Sequence, residues 1–198
     1  YLMNAVAKIG ETKYYTLQEA VDAGNGETIN VIGNTTEVIN IADNAVIDRN
    51  FSEGVTLNGY ILAPNADLTI NDGTISNTNS AKSAVQINAG KLELNNVNIT
   101  SARHAMRIEG TNGEVIATIN GGTYKLHEVA SQTQHVLNAG GDGSQVTVTI
   151  NNGTFVGPKG TASDSGAAIN VQNNASVTIN GGDFSNGKNA TLGVNENG

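Results

Sequence analysis

The sequence predicts an all-β fold: a three-faced parallel β-helix with an N-terminal hairpin and a short capping helix. Three observations predict it: a repeated phrase, a period of two among its apolar residues, and a further apolar segment before each copy. The asparagine of the phrase recurs after 24, 25, 31 and 29 residues, at Asn71, Asn95, Asn120, Asn151 and Asn180. Repeats of this length are typical of solenoid proteins.

Each copy begins as a strand with one buried face. In the copy at 118–124, Ala117 and Ile119 flank the polar Thr118, and this alternation is typical of a half-buried strand. The Asn and the Gly that usually follows predict a bend, because both residues tolerate a left-handed backbone. Stacked copies are expected to join the asparagines into a hydrogen-bonded structural ladder. The inward residues of the second strand are expected to be Ile75, Ile99, Tyr124, Phe155 and Phe184.

A third strand is predicted before each copy, at 84–87, 105–108, 134–137, 168–171 and 191–194. In this alignment His135 matches Val85, Met106 and Ile169, so it is expected to face inward. Three short strands per repeat, joined by turns rich in Gly and Asn, indicate three faces. A β-sandwich is the competing all-β arrangement, but it does not require the same side chain at the same place in every copy.

Residues 1–26 are predicted to form the hairpin and the capping helix, and residues 27–198 the parallel β-helix. Together they are expected to be one structural domain of a longer protein. The segments 5–9 and 12–15 flank a Gly-Glu turn, which indicates a hairpin. Thr16 and Glu19 have the spacing of a capping box. An amphipathic helix at this point is expected to cover the exposed end of a parallel stack.

The composition argues against several classes of function. The net charge is −8 and only 14% of the residues are charged, so nucleic-acid binding is not expected. Cysteine is absent, which excludes disulfides and thiolate metal sites. No apolar run is long enough to cross a bilayer, so no membrane insertion is expected of this chain. No metal site and no cofactor are predicted, with calcium left open.

The segments 5–10, 15–21 and 26–29, followed by Thr-Ile-Asn-Gly-Gly-Thr-Phe/Tyr repeats, carry a resemblance. They resemble the pectate-lyase-like, right-handed parallel β-helix domains of cell-surface proteins and adhesins from gut and oral Gram-positive (Firmicutes-type) bacteria. The resemblance implies a right-handed coil and an extracellular setting, either attached to the cell wall or secreted. It leaves function open, because the same fold serves both enzymes and adhesins.

An enzyme of this kind needs carboxylates that lie close together on one face, either to hold calcium or to act as a pair in hydrolysis. The repeat does not generate such a pair: the position after the bend carries one acid, Asp183, and the outward strand position carries one, Glu93. No catalytic residue is therefore predicted. A polysaccharide lyase or glycoside hydrolase acting in a groove on one sheet face stays as an alternative.

Basic residues and long loops indicate a candidate ligand site. All three histidines lie between residues 103 and 135, and the longest loops span 126–134 and 156–167. Insertions in solenoids often lie on the binding side. The candidate residues, expected to bind an anion or an acidic sugar, are Arg103, His104, Arg107, Lys125, His127, Lys159 and Asp164. The alternative is a partly buried histidine beside solvated cations, with loops that vary neutrally.

The leading hypothesis is a non-catalytic module that recognises a host or microbial glycan or surface protein through loops on a rigid stalk. The third alternative is a structural spacer without a ligand. Three or more acids clustered with a Lys or Arg on one face would favour the enzyme. A pocket enclosed by the two long loops would favour the binding module over the spacer.

Overall fold

The computed structural model describes residues 4–42, 44–48, 54–128, 133–158, 166–185 and 192–194. Within these ranges the chain is mostly β, with one helix, and its strands form a curled, largely parallel sheet. The predicted all-β class is therefore confirmed. Buried apolar residues form one continuous cluster that runs from Ala7 to Ile169.

The N-terminal segment forms the predicted hairpin and helix. Strands β1 (Ala7–Ile9) and β2 (Thr12–Tyr14) pair antiparallel, and helix α1 (Leu17–Gly24) follows. Thr16 accepts a hydrogen bond from the Glu19 amide, and the Glu19 carboxylate accepts one from the Thr16 amide, which completes the predicted capping box.

In the part of the chain that the structure describes, the parallel strands form three ladders. The first ladder contains β3 (Thr28–Val31), β5 (Ala45–Asp48), β7 (Leu68–Asn71), the first halves of β10 (Gly90–Ser101), β12 (Val115–Leu126) and β14 (Val146–Val156), and β16 (Ala175–Ile179). The second contains β4 (Thr35–Asn40), β6 (Thr56–Ala63), β8 (Thr74–Asn77), the second halves of β10, β12 and β14, and β17 (Asp183–Ser185). The third begins at the end of β6 and contains β9 (Val85–Ile87), β11 (Met106–Ile108), β13 (Leu137–Ala139), β15 (Ile169–Val171) and β18 (Leu192–Val194). We call one pass through the three ladders a rung.

The register places the apolar columns of the repeat inside the sheet. Ile119 lies opposite Leu94 and Ile150, and all three are fully buried. In the second ladder the rings of Tyr124 and Phe155 stack with centroids 4.9 Å apart, and Phe184 continues the stack at 5.0 Å from Phe155. These columns contribute an aliphatic and aromatic core, as the period of two predicts.

In the first three copies the residue after the asparagine is left-handed, as predicted: Asp72, Asn96 and Gly121 have φ of 51°, 57° and 101°. In the last two copies the positive φ lies one residue later, at Gly153 (138°) and Gly182 (120°). Strands β10, β12 and β14 nevertheless run through the bend from the first ladder to the second. Gly122 is required next to it, because a Cβ at that residue would lie 2.0 Å from the carbonyl oxygen of Val97.

One predicted strand is misplaced. The third strand of the fourth copy is β13, not 134–137, because Leu137 pairs with Met106 and Ile169. The alignment of His135 with Val85, Met106 and Ile169 is therefore wrong. His135 lies two residues before that column, at the register position of His104. A shift of two residues keeps the same side chains on the same face, so periodicity alone cannot detect it.

The hairpin and helix cover the first edge of the stack. β1 pairs antiparallel with β3 in the first ladder, and α1 packs its buried face, which includes Leu17 and Val21, against β4 as well as β1 and β3. The Glu37 carboxylate accepts hydrogen bonds from the amides of Leu17 (2.8 Å) and Gln18 (3.1 Å). The Gln18 side chain in turn donates to the carbonyl of Asn40 (3.0 Å) and accepts from its amide (2.7 Å), as a neighbouring strand would.

Candidate ligand-binding site

The predicted asparagines form one hydrogen-bonded column along the first ladder. Asn95 donates from Nδ2 to Oδ1 of Asn71 (2.7 Å), Asn120 to Asn95 (2.7 Å), Asn151 to Asn120 (2.8 Å) and Asn180 to Asn151 (2.8 Å). The first three side chains are half-buried and the last two exposed. The column therefore stabilises the stack from its outer surface and leaves amide groups open to solvent.

A second amide pair lies on the outer side of the third ladder. Asn170 donates from Nδ2 to Oδ1 of Asn138 at 2.8 Å, and the two residues are only 3% and 4% exposed. Gln86 and Arg107 occupy the same register column on earlier rungs. This pair was not predicted, because the column carries a different side chain on each of the earlier rungs.

Two long segments join the second ladder to the third. We call the segments that make this connection, at 78–84, 102–105, 127–136 and 157–168, the second-to-third corner. The last two contain the long loops predicted from the sequence. The repeat spacing therefore located the side of the stack on which the rungs depart from regularity.

Two histidines stack at this corner. The rings of His104 and His135 lie with centroids 5.5 Å apart and planes 8° from parallel. Nδ1 of His104 accepts a hydrogen bond from the backbone amide of His135 (3.0 Å), and Nδ1 of His135 accepts one from the amide of Ala167 (3.0 Å). Each imidazole therefore binds the backbone of the next rung at the same register position.

The surroundings keep both imidazoles neutral. Burial, and to a smaller extent the nearby His135, Arg103 and Arg107, lower the pKa of His104 to about 3, against the opposing effect of the backbone contact to His135. Burial also lowers the pKa of His135. A neutral imidazole is the form that can accept a hydrogen bond at Nδ1, so these pKa directions agree with the two backbone contacts.

The two arginines of the predicted site are bound within the protein. Arg103 donates from Nη1 to the carbonyl of Ala81 at 2.7 Å. Arg107 contacts Oε1 of Glu109 through Nε and Nη2, both at 2.6 Å, and Glu109 is 7% exposed. Arg103, His104 and Arg107 thus lie near one another, but their polar groups serve internal contacts. That these residues form one anion site together with Lys125 and His127 stays a prediction.

Unpaired buried polar atoms concentrate at the same corner. Among the described residues, three buried side-chain atoms have no hydrogen-bond partner: Oγ of Ser83, Nε of Arg103 and Oε1 of Gln134. Ser83 precedes Ala84, whose amide contacts the carbonyl of His104, and Gln134 precedes His135. Unpaired buried polar atoms are uncommon in folded proteins and indicate a strained or functional location.

A cavity of about 590 Å³ opens at the beginning of the two long loops. Its lining combines apolar side chains with a cation, an imidazole and a carboxylate, from Thr100, Lys125, Leu126, His127, Glu128, Val156, Gly157 and Pro158. Thr100, Lys125 and Val156 share one outward column of the second ladder, so the ladder supplies one wall. Of the predicted site residues, Lys125 and His127 line the cavity, whereas Lys159 and Asp164 lie outside the described residues.

The described part of the chain offers no ready metal site, since no group of three or more His, Asp or Glu side chains there could hold an ion. Its helix, α1, lacks the length and apolar character needed to cross a bilayer.

Comparisons of the chain with protein-family models, with curated proteins and with solved structures gave no match. The functional interpretation therefore depends on the chain's own residues and their geometry.

Proposed function

We propose that this chain is a non-catalytic recognition module that binds a ligand in the cavity at the second-to-third corner. The observation that carries the proposal is the coincidence of the cavity with the two longest departures from the repeat. A spacer would need no such cavity, whereas a binding module needs a concave surface with a few polar groups among apolar ones.

The scaffold is, in this proposal, a closed, right-handed, three-faced parallel β-helix. The three ladders support it, because each repeat contributes one strand segment to each ladder in the same order. The handedness follows from the resemblance of the opening segments and repeats to pectate-lyase-like domains. In such a scaffold the cavity walls are fixed before the ligand arrives, which reduces the entropic cost of binding.

The ligand is a glycan that carries an acidic group, or the acidic part of a surface protein. Lys125 provides an exposed ammonium group at the wall, and the imidazole of His127 lies two residues further along. Leu126, Val156 and Pro158 provide apolar area against which the carbon face of a sugar ring can pack. The same resemblance implies a module outside a bacterial cell, attached to the wall or secreted, where host and microbial glycans are accessible.

The proposal is tested by binding the 198-residue chain to an array of host mucin glycans and of microbial and plant polysaccharides, with and without calcium. Binding should be selective for acidic glycans, and Lys125→Ala should weaken it by about tenfold, the equivalent of one lost charged contact. Lys91→Ala is the matched control, because Lys91 is an exposed lysine on the first ladder, away from the cavity.

Three outcomes would count against this function. Absence of binding across the array would favour the spacer. Equal weakening by Lys91→Ala and Lys125→Ala would indicate a nonspecific charge effect. Release of unsaturated or reducing sugar ends from a bound polysaccharide would indicate the lyase or hydrolase instead.

A further inference from the structure

The two long loops rejoin the stack at neighbouring points, and a histidine holds each point. The loop that begins after Leu126 returns at His135, whose amide donates to Nδ1 of His104 at 3.0 Å. The loop that begins after Val156 returns at Ala167, whose amide donates to Nδ1 of His135 at 3.0 Å. Both contacts require an unprotonated Nδ1 atom, because a protonated imidazole nitrogen has no lone pair to offer.

Nδ1 of His104 also lies 3.1 Å from the carbonyl oxygen of His135. The same nitrogen can therefore accept from the amide when it is neutral, or donate to the carbonyl when it carries a proton. In the second arrangement the amide of His135 loses its acceptor. The contact between the two rungs thus has two alternative hydrogen-bonding states that differ in whether Nδ1 carries a proton, as it always does in the imidazolium.

We propose that His104 and His135 form an acid-sensitive anchor, whose protonation releases residues 134–136 and 166–168 from the edge of the third ladder and so loosens the cavity. The outgoing ends of the same two segments, at Lys125 to Glu128 and at Val156 to Pro158, line that cavity.

The charges near the pair make protonation costly while the anchor is closed. Arg103 and Arg107 lie on the same rung as His104, and His135 lies on the next rung, and each disfavours a second positive charge there. Arg107 is partly neutralised by Glu109, and Lys82 occupies the register position of Arg103 on the preceding rung. A stacked pair of imidazolium rings in this setting would repel, so a proton favours the open arrangement.

The unpaired buried atoms of the corner fit this role. Oε1 of Gln134 and Oγ of Ser83 can accept hydrogen bonds and have no partner in the closed arrangement. A rearranged corner would give both atoms access to solvent or to an imidazolium N–H. The closed corner therefore carries polar groups that are better satisfied when it opens.

Hydrogen exchange tests the anchor without any ligand, so its failure is distinguishable from failure of the proposed binding function. Exchange of backbone amides is measured at about pH 7.5 and about pH 5.5, corrected for intrinsic exchange, in peptides that cover 133–138 and 166–170. If His104 titrates normally when open and with a pKa of about 3 when closed, opening should increase about tenfold across this interval. Peptides from β3 and β7, which lie in the first ladder and not at the corner, serve as the internal reference.

Asparagine variants of the two histidines provide the second part of the hydrogen-exchange experiment. In His104→Asn and His135→Asn, the Oδ1 atom takes the place of Nδ1 as an acceptor that does not titrate in this range. Both variants should lose most of the acid-induced increase, and His127→Asn, the third histidine of the chain, should keep it. Equal exchange of the wild-type corner at the two pH values would overturn the proposal, as would an unchanged acid response in His104→Asn. Because the wild-type comparison stands alone, a variant that fails to fold does not remove the test.

Discussion

Asn120 donates to Asn95 and accepts from Asn151, and water reaches one side of each of these bonds. Asn138 and Asn170 make a bond of the same length and chemistry, but both residues are almost fully buried. Comparison of the Asn120 contacts with the Asn138–Asn170 contact therefore shows how much burial adds to the stabilising effect of an amide hydrogen bond. A lost partner in the exposed column is replaced by water, whereas a lost partner in the buried pair is not.

Substitution of these asparagines should show the difference. Asn138→Ala leaves the Asn170 amide buried without its acceptor and should lower the free energy of unfolding by about 1–3 kcal/mol. Asn120→Ala should lower it by only about 0.5–1.5 kcal/mol, because its neighbours can be hydrated. Urea titration of both variants measures the two values. The interpretation is wrong if Asn120→Ala proves the more costly substitution.

The predictability of single residues follows from how often the pattern repeats. The column from Asn71 to Asn180 could be predicted because five copies of the phrase align it. The Asn138–Asn170 pair could not, since only two rungs share it. The position of His135 was missed for a different reason. The true and the predicted register differ by two residues, and such a shift leaves every side chain of the strand on the same face of the sheet.

At the scale of the element, helix α1 is held to the stack by one side chain that binds its first turn. The Glu37 carboxylate, supplied by strand β4, accepts from the amides of Leu17 and Gln18. These amides belong to the unsatisfied first turn of the helix, where a negative charge is also favoured by the helix dipole. The contact fixes the helix to the edge of the stack that it covers.

Glu37→Ala should therefore weaken the cap more than the rest of the fold. We expect a loss of about 1–2 kcal/mol in the free energy of unfolding, together with faster exchange of the Leu17 and Gln18 amides. Calorimetry and amide exchange measure the two effects. Glu11→Ala, at the exposed turn of the hairpin, is the control and should change stability by no more than about 0.5 kcal/mol. Equal effects of the two substitutions would contradict the assigned role of Glu37.

The elements of the cap and the stack were more predictable than the corner. The capping box, the hairpin turn and the alternating strands each have a local sequence signal, and the structure contains all three. The cavity has no such signal, because its walls come from segments 25 and 31 residues apart that share only a register column. The ion pair of Arg107 with Glu109 also escaped prediction, because no repeated pattern places the two residues side by side.

For the whole molecule, the buried histidine makes stability depend on pH. The pKa of His104 is lowered from 6.5 to about 3 in the folded protein, so the unfolded chain binds the additional proton between these values. Stability from the neutral form is complete above about pH 6.5 and is lost as the pH falls toward 3. The lowered pKa of His135 acts in the same direction.

The free energy of unfolding should accordingly fall by up to about 4 kcal/mol as the pH is lowered from 6.5 to 3, and by less if the corner opens first. Urea titrations of the wild type and of His104→Asn at a series of pH values measure this. The advantage of the wild type should shrink steadily toward acid. Parallel curves would show that His104 makes no contribution to the acid response.

The covered first edge of the stack also has a consequence for biosynthesis. Because translation proceeds from the N-terminus, the hairpin, α1 and β3 are complete before the later strands leave the ribosome. Each new rung then finds a finished neighbour to pair with, while the edge behind it is already closed by β1 and α1. The nascent chain therefore presents one growing edge at a time, which limits the opportunity for two partly made chains to pair with each other.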